Sequence, residues 1–212
     1  MNTQLLSEAA QWRLIGLLFE CPDQEWLRTI SELAAETNDP KLRDAAAAAR
    51  SEATEGLYHS IFGPGGPAPP REGSYRPVGQ PGYLLSEIIG YYSAFAYKNA
   101  SPELPDHIAV EAGFVSFLKL KESFAGESGE AEKAAITAAA TRNFLADHVS
   151  VAAEPLMKSL AHSGVEYLRL ASEALFERAG KSSGVRNLRS LPVMYAQEPE
   201  AETFDCGDSP EM

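Results

Sequence analysis

Apolar residues near the N-terminus recur every three or four positions, which is the spacing of one face of an α-helix. Leu5, Ala9, Trp12, Gly16 and Phe19 lie on a single helical stripe. The same spacing predicts further helices over residues 23–38, 39–62, 83–98, 106–124, 130–147, 148–161 and 164–179, with Pro155 as a candidate break. Because no segment alternates as a strand would, we expect an all-α fold, a single-domain helical bundle.

The helical pattern is interrupted once near the middle of the chain. Residues 63–82 read GPGGPAPPREGSYRPVGQPG and contain six prolines, which a helix cannot accommodate in its interior. We therefore predict a long Pro/Gly-rich loop over 63–82 inside a domain of residues 1–180. Beyond Gly180 the pattern gives way to polar and acidic residues, so 181–212 is expected to be a mostly flexible acidic tail.

The charge balance restricts the classes of partner. Lys and Arg number 18 against 30 Asp and Glu, which gives a net charge of -12 and a pI near 4.8. This field repels nucleic acid and anionic lipid surfaces, whereas it attracts a cationic peptide. The chain has two cysteines and shows no run of about 20 apolar residues. We therefore expect a cytoplasmic protein with no nucleic-acid partner and no stable membrane insertion.

The most specific string is ELPDHIAVE, residues 103–111. Pro105 suits a helix start, and Asp106 would lie in the first turn, where a carboxylate is favoured by the helix dipole. His107 and Glu111 are four apart and would share a helix face. Such a pair can orient an imidazole, hold a cationic group or supply two metal ligands. One alternative function is therefore a small helical metal-dependent hydrolase that uses His107, Glu111 and His148.

The run ELPDHIAVEAGFVSFL resembles the signature of the TorD/DmsD family of redox-enzyme maturation chaperones, which is related to the nitrate reductase delta-subunit (NarJ) proteins. The segments YHSIFGPGGPAPPREGSYRP and GYLLSEIIGYYSAFAY are similar to the family's preceding loop and next helix. The resemblance implies a chaperone without catalytic residues or cofactor. It would bind the apo form and twin-arginine leader of a molybdopterin-containing oxidoreductase, assisting cofactor insertion and proofreading before export.

Matching the family motif also implies the site residues. Pro105, Asp106 and His107 would form the leader-binding face, supported by Glu103 and Glu111, and Ser74 and Tyr75 match the family loop less closely. We expect Asp106 and Glu111 at the mouth of an apolar groove, where they would bind arginine. The spacing does not separate a TorD-like from a NarJ-like protein, and it leaves both a monomer and a homodimer open.

Overall fold

The computed structural model describes residues 2–77 and 81–182, and these residues form an all-α fold, as expected. The helices are α1 (Thr3–Leu18), α2 (Trp26–Glu36), α3 (Pro40–Glu52), α4 (Glu55–Phe62), α5 (Pro81–Ala94), α6 (Ile108–Glu127), α7 (Ala131–Phe144), α8 (Ser150–Leu160) and α9 (Glu166–Ala179). A short 3-10 helix covers Glu72–Tyr75, and a π-helical turn covers Leu145–Val149. No helix in these ranges is both long enough and apolar enough to cross a bilayer.

Helix α6 is the centre of the bundle. Most of its residues from Ile108 to Leu118 are buried, which is the pattern of a helix covered on all sides. It packs mainly on α1 and α7. The approach of α1 is close at Gly16, because a Cβ there would lie 2.9 Å from the carbonyl oxygen of Ala109. Because α1 and α7 hold α6 in place, the residues at the N-terminus of α6 have fixed positions in the bundle.

The starts of α3 and α4 both follow local capping signals, but only the start of α3 was predicted. Asp39 caps α3 by accepting a hydrogen bond from the backbone N–H of Leu42 at 3.1 Å, with Pro40 in the first turn, as predicted. The single helix predicted over 39–62 is wrong, because the backbone is extended at Ala53 and Thr54. The Thr54 side chain caps the separate helix α4 by accepting a hydrogen bond from Leu57 N–H.

The predicted boundary at residues 147–148 is also wrong. The π-helical turn Leu145–Val149 joins α7 to α8 without an intervening loop. Pro155 lies inside α8 and does not end it. A proline removes one backbone donor from a helix, and α8 nevertheless continues through it and packs against α9.

The predicted loop and tail are described only in part. Residues 63–77 lie outside α-helices, but α5 already begins at Pro81, so the loop over 63–82 is not confirmed as one element. Gly180 ends α9 with a φ of +76°, in the left-handed region that glycine tolerates. The predicted flexible acidic tail falls almost entirely on residues 183–212, which lie outside the described residues.

Candidate functional site

His107 is the N-cap of α6 and lies in a chain of hydrogen bonds. Its Nδ1 accepts a hydrogen bond from the backbone N–H of Ala109 at 3.2 Å. Its Nε2 lies 3.3 Å from the Tyr58 hydroxyl, and that hydroxyl donates to Glu103 Oε1 at 3.1 Å. Because Nδ1 is an acceptor, the imidazole is neutral and carries its proton on Nε2. Burial lowers the pKa of His107 to about 4, consistent with this state.

We expect this pKa shift to make the protein less stable as the pH falls from 6.5 to 4. In that interval the unfolded chain binds a proton at His107, whose ordinary pKa is 6.5, whereas the folded protein does not. A shift of this size corresponds to about 3 kcal/mol. Urea denaturation at pH 7 and pH 4 should show a smaller loss of the free energy of unfolding for His107→Asn than for the unaltered protein, because asparagine does not titrate. Asparagine is the suitable replacement because it also caps helices.

Carboxylates elsewhere in the chain also contribute to a loss of stability between pH 7 and pH 4. The difference between the unaltered protein and His107→Asn therefore isolates the contribution of His107. An equal loss of the free energy of unfolding in both proteins would contradict the prediction.

Asp106 is buried and occupied by its own chain, which corrects the expectation of an accessible carboxylate at the mouth of a groove. Arg71 Nε donates to Asp106 Oδ1 at 2.9 Å, and Gly73 N–H donates to Oδ2 at 3.3 Å. Asp106 also precedes α6 and does not lie in its first turn. A Cβ at position 73 would lie 3.1 Å from Oδ2, so a glycine suits the close approach.

Backbone hydrogen bonds hold the segment 70–72 against the start of α6. Glu72 N–H donates to the carbonyl oxygen of Asp106 at 2.8 Å, and Ile108 N–H donates to that of Pro70 at 2.9 Å. Within the described part of the loop, Ser74 is exposed, while Tyr75 is half-buried and donates its hydroxyl to the Pro69 carbonyl at 2.6 Å. The loop segment and the motif therefore form one structural unit.

Glu111 is fully buried beside Glu72, which is also buried. Neither carboxyl oxygen of Glu111 accepts a hydrogen bond. Burial and the neighbouring carboxylate of Glu72 raise the pKa of Glu111 well above its ordinary value, which favours the protonated form of Glu111 beside the Glu72 carboxylate. Burial alone would raise the pKa of Glu72, but a 3.1 Å hydrogen bond with His148 and the charge of Arg76 lower it overall.

The residues of the hydrolase alternative do not converge. His107 faces Tyr58 and Glu103, whereas His148 faces Glu72. Over residues 2–77 and 81–182, no three His, Cys, Asp or Glu side chains are placed to hold a metal ion. The geometry therefore gives the hydrolase no support.

An open cleft of about 1030 Å³ lies beside the string 103–111 and is lined by its residues Glu103, Ala109 and Val110. Its walls come from α1 and the turn after it, the start of α4, the segment 97–103 and one face of α6. Four carboxylates line it, against two cationic side chains: Glu20, Asp23, Glu55 and Glu103, with Arg13 and Lys98. Val110, Phe117 and Leu120 supply apolar wall. Sequence analysis identified only Glu103 among these residues.

The cleft carboxylates differ in how far they are already engaged. Glu20 pairs with Arg13 at 2.9 Å, and Asp23 accepts backbone hydrogen bonds from Glu25 and Trp26 at the start of α2. Glu55 is exposed and lies 3.7 Å from His59, while Glu103 is one-third exposed. Glu55 and Glu103 therefore have the most capacity to bind a guanidinium group. Glu103 also links the cleft to buried His107 through Tyr58.

The family model of the nitrate reductase delta subunit matches residues 30–155. The matched range runs from α2 into α8 and contains the string 103–111 together with the segment 70–76. No curated protein matches the chain. The resemblance to TorD/NarJ-related redox-enzyme maturation chaperones is thus confirmed at the level of the family.

Proposed function

Because the chain belongs to the nitrate reductase delta subunit family, we propose that it is a cytoplasmic chaperone for a molybdopterin-containing oxidoreductase. It binds the twin-arginine leader and the apo form of that enzyme, assists cofactor insertion and proofreads the enzyme before export. It acts by binding, without catalytic turnover.

The observation that carries this proposal is the cleft beside the motif. A twin-arginine leader presents two guanidinium groups followed by an apolar stretch. The cleft offers Glu55 and Glu103 next to apolar wall from Phe117 and Leu120, so both halves of such a peptide have a complementary surface. Charge-assisted hydrogen bonds from arginine to carboxylates are stronger than neutral ones and favour arginine over lysine.

In this proposal the buried motif residues act as positioning residues. Pro105 accepts a 2.8 Å hydrogen bond from the Tyr92 hydroxyl at its carbonyl oxygen. Asp106 holds the loop segment through Arg71 and Gly73. Together with His107, which is linked to Glu103 through Tyr58, they fix the end of segment 97–103, which forms one wall of the cleft. Glu111 would support them from its buried place beside Glu72. Ser74 and Tyr75 lie in the loop segment that Asp106 holds, and from there they would contribute to leader binding.

Calorimetric titration tests the proposed function. The probes are the leader of a candidate client oxidoreductase and a matched peptide in which both arginines are glutamine. We expect the leader to bind with at least tenfold lower Kd than the glutamine peptide, because glutamine carries no positive charge to pair with the cleft carboxylates. Equal Kd values, or no binding by either peptide, would contradict it. Lysine replacement of both arginines should give an intermediate Kd.

A further inference from the structure

The sequence after α9 has its own cationic and apolar segment. Residues 181–190 contain Lys181, Arg186 and Arg189 and no carboxylate, and residues 191–195 read LPVMY. From Glu198 onward the chain carries six acidic residues and no basic one. Two arginines followed by apolar residues have the chemistry that complements the carboxylates and the apolar wall of the cleft.

We propose that residues 185–195, the tail segment, occupy the cleft of their own chain when no leader is bound. Arg186 and Arg189 would pair with the carboxylates Glu55 and Glu103. The apolar residues 191–195 would cover the wall formed by Phe117 and Leu120. The residues after Glu198 stay outside, because their negative charge is repelled by the cleft.

The end of α9 is close enough for the tail segment to reach the cleft. At the end of α9, Arg178 Nη2 donates to Gln11 Oε1 of α1 at 3.0 Å. Glu20, at the cleft end of α1, is no more than about 18 Å from Gln11 along the chain. From Gly180, where α9 ends, the nine residues to Arg189 can span about 30 Å when extended. Arg189 can therefore approach the cleft end of α1 while α9 stays in place.

Attachment to the same chain makes weak binding sufficient. A short linker gives an effective concentration on the order of 1 mM. If the isolated tail segment bound with a Kd of about 0.1 mM, it would occupy roughly nine clefts in ten. A leader would then bind about tenfold more weakly than to an empty cleft, because it must displace the tail segment. This competition rests on the proposed function, whereas occupation of the cleft does not.

Cross-linking within the full chain tests the occupation directly. Cys21 lines the cleft, and Met194→Cys with Cys206→Ser places a second thiol in the tail segment. Treatment with a short bismaleimide and mass spectrometry of a protease digest should reveal a link between positions 21 and 194. The unaltered protein, which offers Cys206 instead, is the matched control and should cross-link at least tenfold less. The link should also decrease in an Arg186→Glu/Arg189→Glu background.

A readout without thiol chemistry accompanies the cross-link. The Arg186→Glu/Arg189→Glu change alone should shift the backbone amide resonances of Gly113 and Ser116, which line the cleft. A link no stronger than that of the control together with unshifted resonances would overturn the proposal, as would a link that forms only between two copies and disappears on dilution.

Titration with the leader separates the two proposals. The Arg186→Glu/Arg189→Glu variant should bind the leader about tenfold more tightly than the unaltered protein. A cross-link at 21–194 without any leader binding would support occupation and contradict the proposed function. Leader binding with unchanged Kd in the variant, and no cross-link, would refute the tail proposal alone.

Discussion

Arg76→Ala is expected to lower the free energy of unfolding by about 3–5 kcal/mol at pH 7. Arg76 is largely buried, pairs with fully buried Glu72 and also donates to the carbonyl oxygen of Asp147. Without it, the Glu72 carboxylate keeps the hydrogen bond with His148 but faces the carboxyl group of Glu111 with no cation beside it. An uncompensated buried charge is costly because the protein interior solvates it poorly.

Urea denaturation followed by circular dichroism measures this loss. Arg28→Ala is the matched control, because Arg28 is exposed and its pairs with Glu25 and Glu32 are 3.5 and 3.8 Å long; it should cost less than about 1 kcal/mol. Adding Glu72→Gln to Arg76→Ala should restore part of the loss. If Arg76→Ala is no more destabilising than Arg28→Ala, the buried cluster does not stabilise the fold as described.

Glu55→Gln combined with Glu103→Gln is expected to raise the Kd for the leader roughly 10- to 100-fold, or about 1.4–2.7 kcal/mol. The glutamines keep the side-chain size and an acceptor for Tyr58 but remove the charge that faces an arginine. Because the net charge of the whole chain also changes, the matched control is Glu32→Gln with Glu132→Gln. Both control residues are exposed and do not line the cleft.

Calorimetric titration of both double variants gives the comparison, and circular dichroism should show unchanged helix content. The effect should shrink as salt is added, since exposed charge pairs are screened. Equal Kd values for the two double variants would mean that the leader binds elsewhere or depends only on overall charge.

Much of the fold was predictable because it depends on local chemistry. The Asp39-Pro40 pair specifies the start of α3, and apolar spacing identified the positions of the remaining helices to within a few residues. The break at Ala53 and Thr54 was missed, although a threonine three residues before Leu57 is a capping signal. The π-helical joint at Leu145–Val149 has no comparable local signal, since it depends on packing around α6.

The candidate site was predicted only in part. The string 103–111 marked the start of α6 to within two residues, and Glu103, Ala109 and Val110 of this string line the cleft. Spacing could not reveal that Asp106 is neutralised by Arg71, because these residues are 35 positions apart and meet only through tertiary structure. Glu20, Asp23 and Glu55 reach the cleft from separate segments for the same reason. The pattern of Glu72 and Arg76, oppositely charged and four residues apart, was a usable signal for the buried cluster.

The central claim is that a twin-arginine leader lies in the cleft between α1, α6 and segment 97–103. Backbone hydrogen exchange of the Arg186→Glu/Arg189→Glu variant, in which the tail segment does not already protect the cleft, tests it most directly with and without saturating leader. With the leader bound, we expect slower exchange at residues 20–24 and 97–103, and little change on the far side of the bundle where α3 packs against α9. Protection confined to α3 and α9, or to segment 71–77 alone, would contradict it.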